Sequence, residues 1–332
     1  MKKTLARWWQ DVWYGERYFS IWIAPLSMIY LDIIRLRRFL YRKGLLKSTK
    51  LPVPVIIVGN ISVGGTGKTP LVIWLAKLLK QKGYRPGIIS RGYGGAAKNE
   101  PVIVEADSQP GIVGDEPLVI VKHSDCPMAV CRNRVAAAQL LTGLHQCNII
   151  ISDDGLQHYA LERDIEITVI DGERRFGNGY CLPAGPLREP LERLREVDLV
   201  IVNGVAVEEG EYSMHFVGAE AVCLKTGESV PLREFCGQGL HALAGIGNPN
   251  RFFNLLDQAG LSFEGRAFPD HHQFTAADIE FDDDRPVLMT EKDAVKCLKF
   301  AGEKHWYVPI DAEPQAEFSE QLLTLLKEKK HG

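Results

Sequence analysis

Residues Ser62–Thr69 read SVGGTGKT and run into Pro70 and the apolar stretch LVIWLAKLL. Gly64, Gly65 and Gly67 let backbone N–H groups crowd around an anion without a Cβ in the way. A helix opening near Thr69 would aim its positive dipole end at the same anion. The ammonium of Lys68 suits β- and γ-phosphate oxygens, and the Thr69 hydroxyl suits Mg²⁺. Ser62, Val63, Gly64, Gly65, Thr66, Gly67, Lys68 and Thr69 are therefore expected to cradle ATP with Mg²⁺. Ser62 stands where the usual pattern has its first glycine, but the residues that touch phosphate are all present.

A second chemical signal lies downstream. Asn148–Ser152 (NIIIS) runs into Asp153 and Asp154, then Gly155-Leu156-Gln157-His158. A carboxylate at the end of a buried strand is what Mg²⁺ on such a loop requires, so Asp153 and Asp154 join Thr69 as candidate metal ligands. Which of the two carries the metal is left open by the sequence. Other strand-like runs also end in polar groups. Gly87–Ser90 leads into Arg91-Gly92-Tyr93-Gly94, and Met128–Cys131 into Arg132 and Arg134; Arg91, Tyr93 and Arg134 are candidate substrate contacts.

The elements that must position these groups follow a rhythm. Val53–Val58 is a short buried-strand pattern bounded by Pro52 and Gly59. Ile165–Ile170 leads into Asp171 and Leu199–Val202 into Asn203-Gly204, with helical stretches between most strands. The expected fold is α/β: a doubly wound, mainly parallel sheet of the P-loop NTPase type, binding ligands at its carboxyl ends. Alternation over 211–232 suggests a β-ribbon linker. His241–Ile246, Pro286–Met289 and Trp306–Ile310 suggest a smaller C-terminal α/β domain. Its Gly247-Asn248-Pro249 and Thr290-Glu291-Lys292-Asp293 loops are expected to approach the nucleotide base. The division expected is an N-terminal segment 1–45, a kinase domain 46–210, the linker 211–232 and a small domain 233–332.

At 332 residues, with 45% hydrophobic and 24% charged residues, the chain suits two folded domains and excludes extensive disorder. The formal charge of −3 hides an asymmetry: residues 1–50 hold eleven Lys or Arg against three acids. Four of six tryptophans (Trp8, Trp9, Trp13, Trp22) sit in the first 22 residues, flanked by Lys2, Lys3 and Arg7 and by Arg35, Arg37, Arg38, Arg42 and Lys43. The apolar run from Phe19 to Ile34 is interrupted by Pro25 and Asp32, too short and broken to span a bilayer. Aromatic rings with a basic fringe suit the headgroup layer of an anionic membrane, and the segment reads as an interfacial anchor. No signal-peptide cleavage site follows it. Seven scattered cysteines without a CxxC indicate neither zinc nor a disulfide framework. Nothing points to nucleic acid, and the sequence leaves oligomeric state open.

The motifs NxSxGGTGKTP, SRGYGG, GDEP, DDGLQH, LPAGPLREP, AGIGNP and TEKDA occur in that order. Over about residues 10–310 the chain resembles the tetraacyldisaccharide 4′-kinase family, the lipid A 4′-kinases of Gram-negative bacteria. The resemblance implies transfer of the ATP γ-phosphate to the 4′-hydroxyl of a tetraacyldisaccharide 1-phosphate, giving lipid IVA. It also implies a peripheral enzyme on the cytosolic face of the inner membrane. Asp115 of the GDEP run then matches a catalytic aspartate and His271 its paired histidine, with Lys68 and Asp154 completing the catalytic set. His158, Arg188 and Glu189 match elements near the substrate.

The chemistry is consistent. A sugar hydroxyl is a weak nucleophile, and a positioned base that takes its proton is worth ~10²–10⁴-fold, or about 3–5 kcal/mol of barrier. Either member of an Asp115–His271 pair could be that base, because coupled groups titrate together. The rival reading is a membrane-associated GTPase or partitioning-type ATPase. The partitioning group carries a lysine where this chain has Val63, which counts against it.

Overall fold

The computed structural model describes Trp9 and residues 12–15, 19–96 and 99–331. The expectations placed on Lys2, Lys3, Arg7 and Trp8 lie outside the described residues. The first long element is helix α1 (Phe19–Arg42), 24 residues with Pro25 inside it. The strands that follow are β1 (Val55–Gly59), β2 (Pro86–Ser90), β3 (Val102–Val104), β4 (Met128–Val130), β5 (Ile149–Asp153), β6 (Ile165–Asp171), β7 (Leu199–Asn203) and β8 (Glu211–Val217). The smaller sheet is built from β9 (Glu220–Cys223), β10 (Ser229–Pro231), β11 (Leu240–Ala244), β12 (Phe263–Ala267), β13 (Val287–Thr290) and β14 (His305–Val308). Finally β15 (Asp311–Pro314) rejoins the first sheet.

The large sheet has nine strands in the order β15-β8-β7-β6-β1-β5-β2-β4-β3. Every neighbouring pair from β8 to β4 is parallel; the edge strands β3 and β15 run antiparallel. β1 is buried along its whole length, as a central strand covered on both faces should be. Its side chains alternate between two cores. Ile56 and Val58 pack with helix α2 (Lys68–Gln81), while Val55 and Ile57 pack on the opposite face. Three further helices lie between β3 and β5: the single turn α3 (Pro110–Val113), α4 (Asp115–Ser124) and α5 (Arg134–Leu144). Residues of α4 join the α2 face, and Ala137, Ala138 and Leu141 of α5 join the other. This is the doubly wound arrangement expected from the sequence.

The smaller sheet runs β10-β9-β14-β13-β11-β12. Helices α6 (Pro249–Gln258), the single turn α7 (Ala276–Ile279) and α8 (Glu291–Cys297) belong to it. Helix α9 (Ala316–His331) then returns to the large sheet, where Phe318, Leu322 and Leu326 are buried in the same core as α2.

Two details depart from the expected division. The linker is a ribbon, but its second strand comes from the far end of the chain. β8 pairs antiparallel with β15, and β9 with β14, so residues 305–314 cross back beside residues 211–223. The physical reason is that β9 paired only with β10 would leave an open edge next to β13 and β14. The C-terminal segment from Asp311 onward therefore completes the large sheet rather than the small one.

Candidate active site

The loop after β1 has the shape its glycines require. Gly64 and Gly67 sit at φ 106° and 101°, and Gly67 caps α2. A Cβ on Gly67 would stand 2.6 Å from both Asn203 Nδ2 and a Phe216 ring atom, so that position is closed to other residues. Ser62 is not among the positive-φ residues; it is buried and bridges to Leu187. That conformation explains why serine is tolerated where the usual pattern has glycine. Asn60 Nδ2 reaches Thr66 Oγ1 at 3.4 Å and Asn203 Nδ2 reaches the Thr66 carbonyl at 3.1 Å, fixing the loop from both neighbouring strand ends.

Asp153 ends β5, the strand beside β1. Its carboxylate is buried; Oδ2 accepts from the Ser90 hydroxyl at 3.2 Å, and Oδ1 has no partner. Burial foremost, then the charges of Glu116 and Asp154, push its pKa up. Asp154 is the opposite case. Its φ of 48° turns the chain into the left-handed region, which an aspartate tolerates better than most residues. Its carboxylate takes Arg188 Nη1 at 3.0 Å on both oxygens and lies 3.4 Å from Lys68 Nζ. Burial would raise its pKa, but Lys68, Arg188 and Arg134 outweigh that and hold the group ionised.

The two residues singled out as a catalytic pair meet. Asp115 is the first residue of α4, buried, with the helix dipole favouring its charge. His271, on the loop after β12 at φ 58°, places Nδ1 at 3.3 Å from Asp115 Oδ2. Burial works against the Asp115 carboxylate. The His271 hydrogen bond and the charges of Lys292, His271 and Lys296 reverse the effect and hold its pKa at about 2. His271 is shifted up, chiefly by the same hydrogen bond. Glu116, next to Asp115, is near enough to raise Asp153 electrostatically, and Lys68 acts on the same carboxylate. The helix bearing Asp115 and the phosphate loop therefore face one site. Gly95 lies against the Ile112 carbonyl and Gly114 against that of Tyr93, so the loop after β2 is packed onto the loop bearing Asp115.

The remaining expected contacts separate into two groups. Arg91 is exposed, and Tyr93 is 65% exposed with its ring 5.0 Å from that of His271; both border the opening. Arg134 and Glu189, expected at the substrate, are instead buried. Arg134 Nη2 donates to the Asp154 carbonyl at 2.8 Å and holds that turn. Glu189 accepts from Tyr159 Oη at 2.8 Å and pairs with Arg193 Nε at 3.2 Å; a group enclosed by tyrosine and arginine has no path to a substrate. His158 is half-buried with Nε2 unpartnered. Its pKa is held at about 4 by burial first, then by Arg134, Arg163, Arg37 and Arg91, so the ring is neutral.

Three further features frame the site, and of these only an approach of the Gly247 loop to the nucleotide was expected from the sequence. The Thr290-Glu291-Lys292-Asp293 run, expected at the nucleotide base, instead lies against α4: Lys292 Nζ is 2.8 Å from Glu116 Oε1 and Lys296 Nζ 3.8 Å from Asp115 Oδ2. The signal available was the i, i+4 spacing of these lysines, which puts both on one face of α8. The Gly247 loop does reach the phosphate loop, so closely that a Cβ on Gly247 would be 2.7 Å from the Gly65 backbone nitrogen. Arg174 Nη1 holds the Gly247 carbonyl at 2.8 Å, and Arg251 pairs with Asp171 at 2.6 Å across the same seam. Finally, α1 grips the site's loops from behind. Ser27 Oγ donates to the Cys181 carbonyl at 2.8 Å, Tyr30 Oη to that of Arg188 at 3.0 Å, and Arg37 to that of Gln157 at 3.2 Å.

The arrangement can bind a triphosphate on the loop after β1 and place an Asp–His pair beside it, which is the equipment for phosphoryl transfer to a hydroxyl. Comparisons agree. Residues 19–327 match the model of the family described as tetraacyldisaccharide-1-P 4′-kinase. A tetraacyldisaccharide 4′-kinase of Nitrosococcus oceani is 51% identical over 316 residues, covering 95% of this chain and 93% of that protein. One from Methylobacillus flagellatus is 52% identical over 328 residues, covering 98% of each. A crystal structure of the Aquifex aeolicus protein LpxK, in complex with ATP, superposes with a TM-score of 0.78 at 29% identity, covering 93% of this chain and 99% of that one.

Proposed function

The chain belongs to the tetraacyldisaccharide 4′-kinase family and is an ATP-dependent kinase of lipid A biosynthesis, and from its site we propose how it performs the transfer. The acceptor is the 4′-hydroxyl of a tetraacyldisaccharide 1-phosphate. The sugar oxygen attacks the γ-phosphorus, the bond to the β-phosphate oxygen breaks, ADP leaves, and the hydroxyl proton passes to the Asp115–His271 pair. The observation that carries this reading is the 3.3 Å contact of that pair beside the phosphate loop.

Lys68 supplies positive charge to the phosphates as the oxygen attacks, and the N–H groups of Gly64–Thr69 hold the β-phosphate in place. Asp153 fits Mg²⁺ better than Asp154 does. It has a buried oxygen with no partner and a charge that burial disfavours until a cation arrives, whereas Asp154 is committed to Lys68 and Arg188. Thr69 and Asp153 would hold the ion, two protein ligands being usual for Mg²⁺ on a nucleotide, and it would neutralise β- and γ-phosphate charge. Arg91 and Tyr93, at the open edge by His271, are the groups we assign to the lipid sugar.

The protein works at a membrane surface. Among the described residues no helix is long and apolar enough to cross a bilayer. Helix α1 nonetheless exposes Ile21, Trp22, Leu26, Met28, Ile29 and Ile33, with Trp22 82% exposed, while its other side is bonded to the loops of the site. An apolar face of this kind lies in the headgroup boundary, next to basic residues that favour anionic lipid. The acyl chains of the acceptor can then stay in the bilayer while its sugar enters the cleft, on the cytosolic face where ATP is available. The test is incubation with γ-labelled ATP, Mg²⁺ and the disaccharide 1-phosphate in detergent. Label in the lipid supports the reading; ATP hydrolysis alone, with no labelled lipid, contradicts it.

A further inference from the structure

The two members of the reactive pair come from different sheets, so something must set their register. A single ammonium spans the gap. Lys292, on α8 of the smaller sheet, places Nζ 2.8 Å from Glu116 Oε1 and 3.1 Å from Asp270 Oδ1. Glu116 adjoins Asp115 on α4, and Asp270 adjoins His271 on its loop. We infer that Lys292 is a positioning residue for the transfer: it clamps the Glu116 and Asp270 carboxylates together and thereby fixes Asp115 and His271 in contact across the seam.

Three observations support the assignment. Lys292 is 16% exposed, so its ammonium is held between the two carboxylates at the seam rather than standing free in solvent. The left-handed conformation of His271 is uncommon for a residue other than glycine and must be held by its surroundings. His271's backbone N–H donates to Asp270 Oδ1 at 3.1 Å, the same oxygen that Lys292 holds. The loop turn and the clamp thus share one atom. Lys296, one turn further along α8, does a different job: it is tied to buried Asp293 at 2.8 Å and lends only longer-range charge to Asp115.

The clamp also sets the electrostatics of the pair. His271 is faced by Asp115 and Asp270, which favour its protonated form, by Lys292, which opposes it, and by the Tyr93 ring. Lys296 acts on Asp115 from the other side. Removing the Lys292 charge therefore leaves His271 protonated to higher pH, and the pair is ready to accept a proton only in more alkaline solution.

The inference rests on the Asp115–His271 reading, and the experiment separates the two. Full-length Lys292→Met, Lys292→Arg, Asp270→Asn and Asp115→Asn are compared for kcat, for KM of ATP, and for the pH dependence of kcat with the disaccharide 1-phosphate. The clamp requires Lys292→Met to lose roughly 10²-fold in kcat with KM for ATP near the parent value, and its acid limb to move to higher pH. Lys292→Arg, which keeps the charge, should recover most of the rate, and Asp270→Asn should lose an intermediate amount. If Lys292→Met does not fold, Asp270→Asn decides, and a parental kcat in that variant overturns the clamp. Parental kcat in Lys292→Met, or a loss with an unmoved pH profile and no recovery by arginine, also overturns it. A parental kcat in Asp115→Asn would remove the underlying reading instead.

Discussion

His271 Nδ1 lies 3.3 Å from Asp115 Oδ2, although 156 positions separate the two residues and each belongs to a different sheet. The contact forms where α4 of the large sheet meets α8 and the His271 loop of the smaller one. In the proposed mechanism proton transfer is therefore a property of the joined molecule, and the ribbon formed by residues 211–223 and 305–314 is what joins it.

The pair makes the reaction pH-dependent in a defined direction. His271 is raised above its ordinary 6.5, so below the raised value it already carries a proton and leaves only the weakly basic Asp115 carboxylate to take the sugar's. Transfer should rise with pH through a midpoint above 6.5 and then level off. A steady-state profile of kcat with Mg·ATP saturating checks this. A midpoint below 6.5 would contradict the assignment.

Asp153 and Asp154 are adjacent but not equivalent. Asp153→Asn should raise the Mg²⁺ concentration for half-maximal transfer by roughly tenfold or more, because it removes the carboxylate with the free oxygen. Asp154→Asn should leave that concentration nearly unchanged and lower kcat, since Lys68 and Arg188 lose their counter-ion. Mg²⁺ titrations of both variants, with direct metal-dependent nucleotide binding as a second readout, decide it. The reverse order of effects would transfer the metal to Asp154.

Arg193 serves stability rather than chemistry. It is buried between Glu166 and Glu189, the latter fully enclosed. Arg193→Met leaves buried Glu189 with only the Tyr159 hydroxyl and Glu166 with only Arg163, and should cost about 3 kcal/mol of unfolding free energy. Chemical denaturation measures this, and a loss under about 1 kcal/mol would show the cluster to be solvent-relaxed.

The outer face of α1 can be tested apart from catalysis. Trp22→Asp with Ile29→Asp removes two exposed apolar side chains from that face. Co-sedimentation with vesicles containing anionic phospholipid should weaken by roughly 10²-fold. Activity in detergent should stay within about twofold of the parent. Unchanged vesicle binding would mean that α1 is not the docking face.

Much of this was legible in the sequence, and the exceptions have physical causes. The phosphate loop and the strand ending in Asp153 announce themselves because a buried parallel strand is an unbroken apolar run and a phosphate cradle needs glycines at fixed spacing. β12, by contrast, reads FEGRA, and most of it is exposed. As an edge strand in contact with water it has no apolar signal to detect. The three-residue β3 and the late β15 were missed for similar reasons, since short edge strands follow no alternation long enough to see. Asp115 and His271 were found through the resemblance, because spacing along the chain says nothing about a contact made across two sheets. Arg134 was placed at the substrate because it follows a strand's carboxyl end, and Glu189 because its LREP run matches the family's pattern. Only the fold reveals that each is enclosed by partners.

Phosphoryl transfer measured directly on the Asp115→Asn protein tests the central claim. With γ-labelled ATP, Mg²⁺ and the disaccharide 1-phosphate, label entering the lipid should fall by ~10²–10⁴-fold while ATP binds with parental affinity. Transfer at the parental rate, or a loss explained wholly by weaker ATP binding, would contradict the role given to the Asp115–His271 pair.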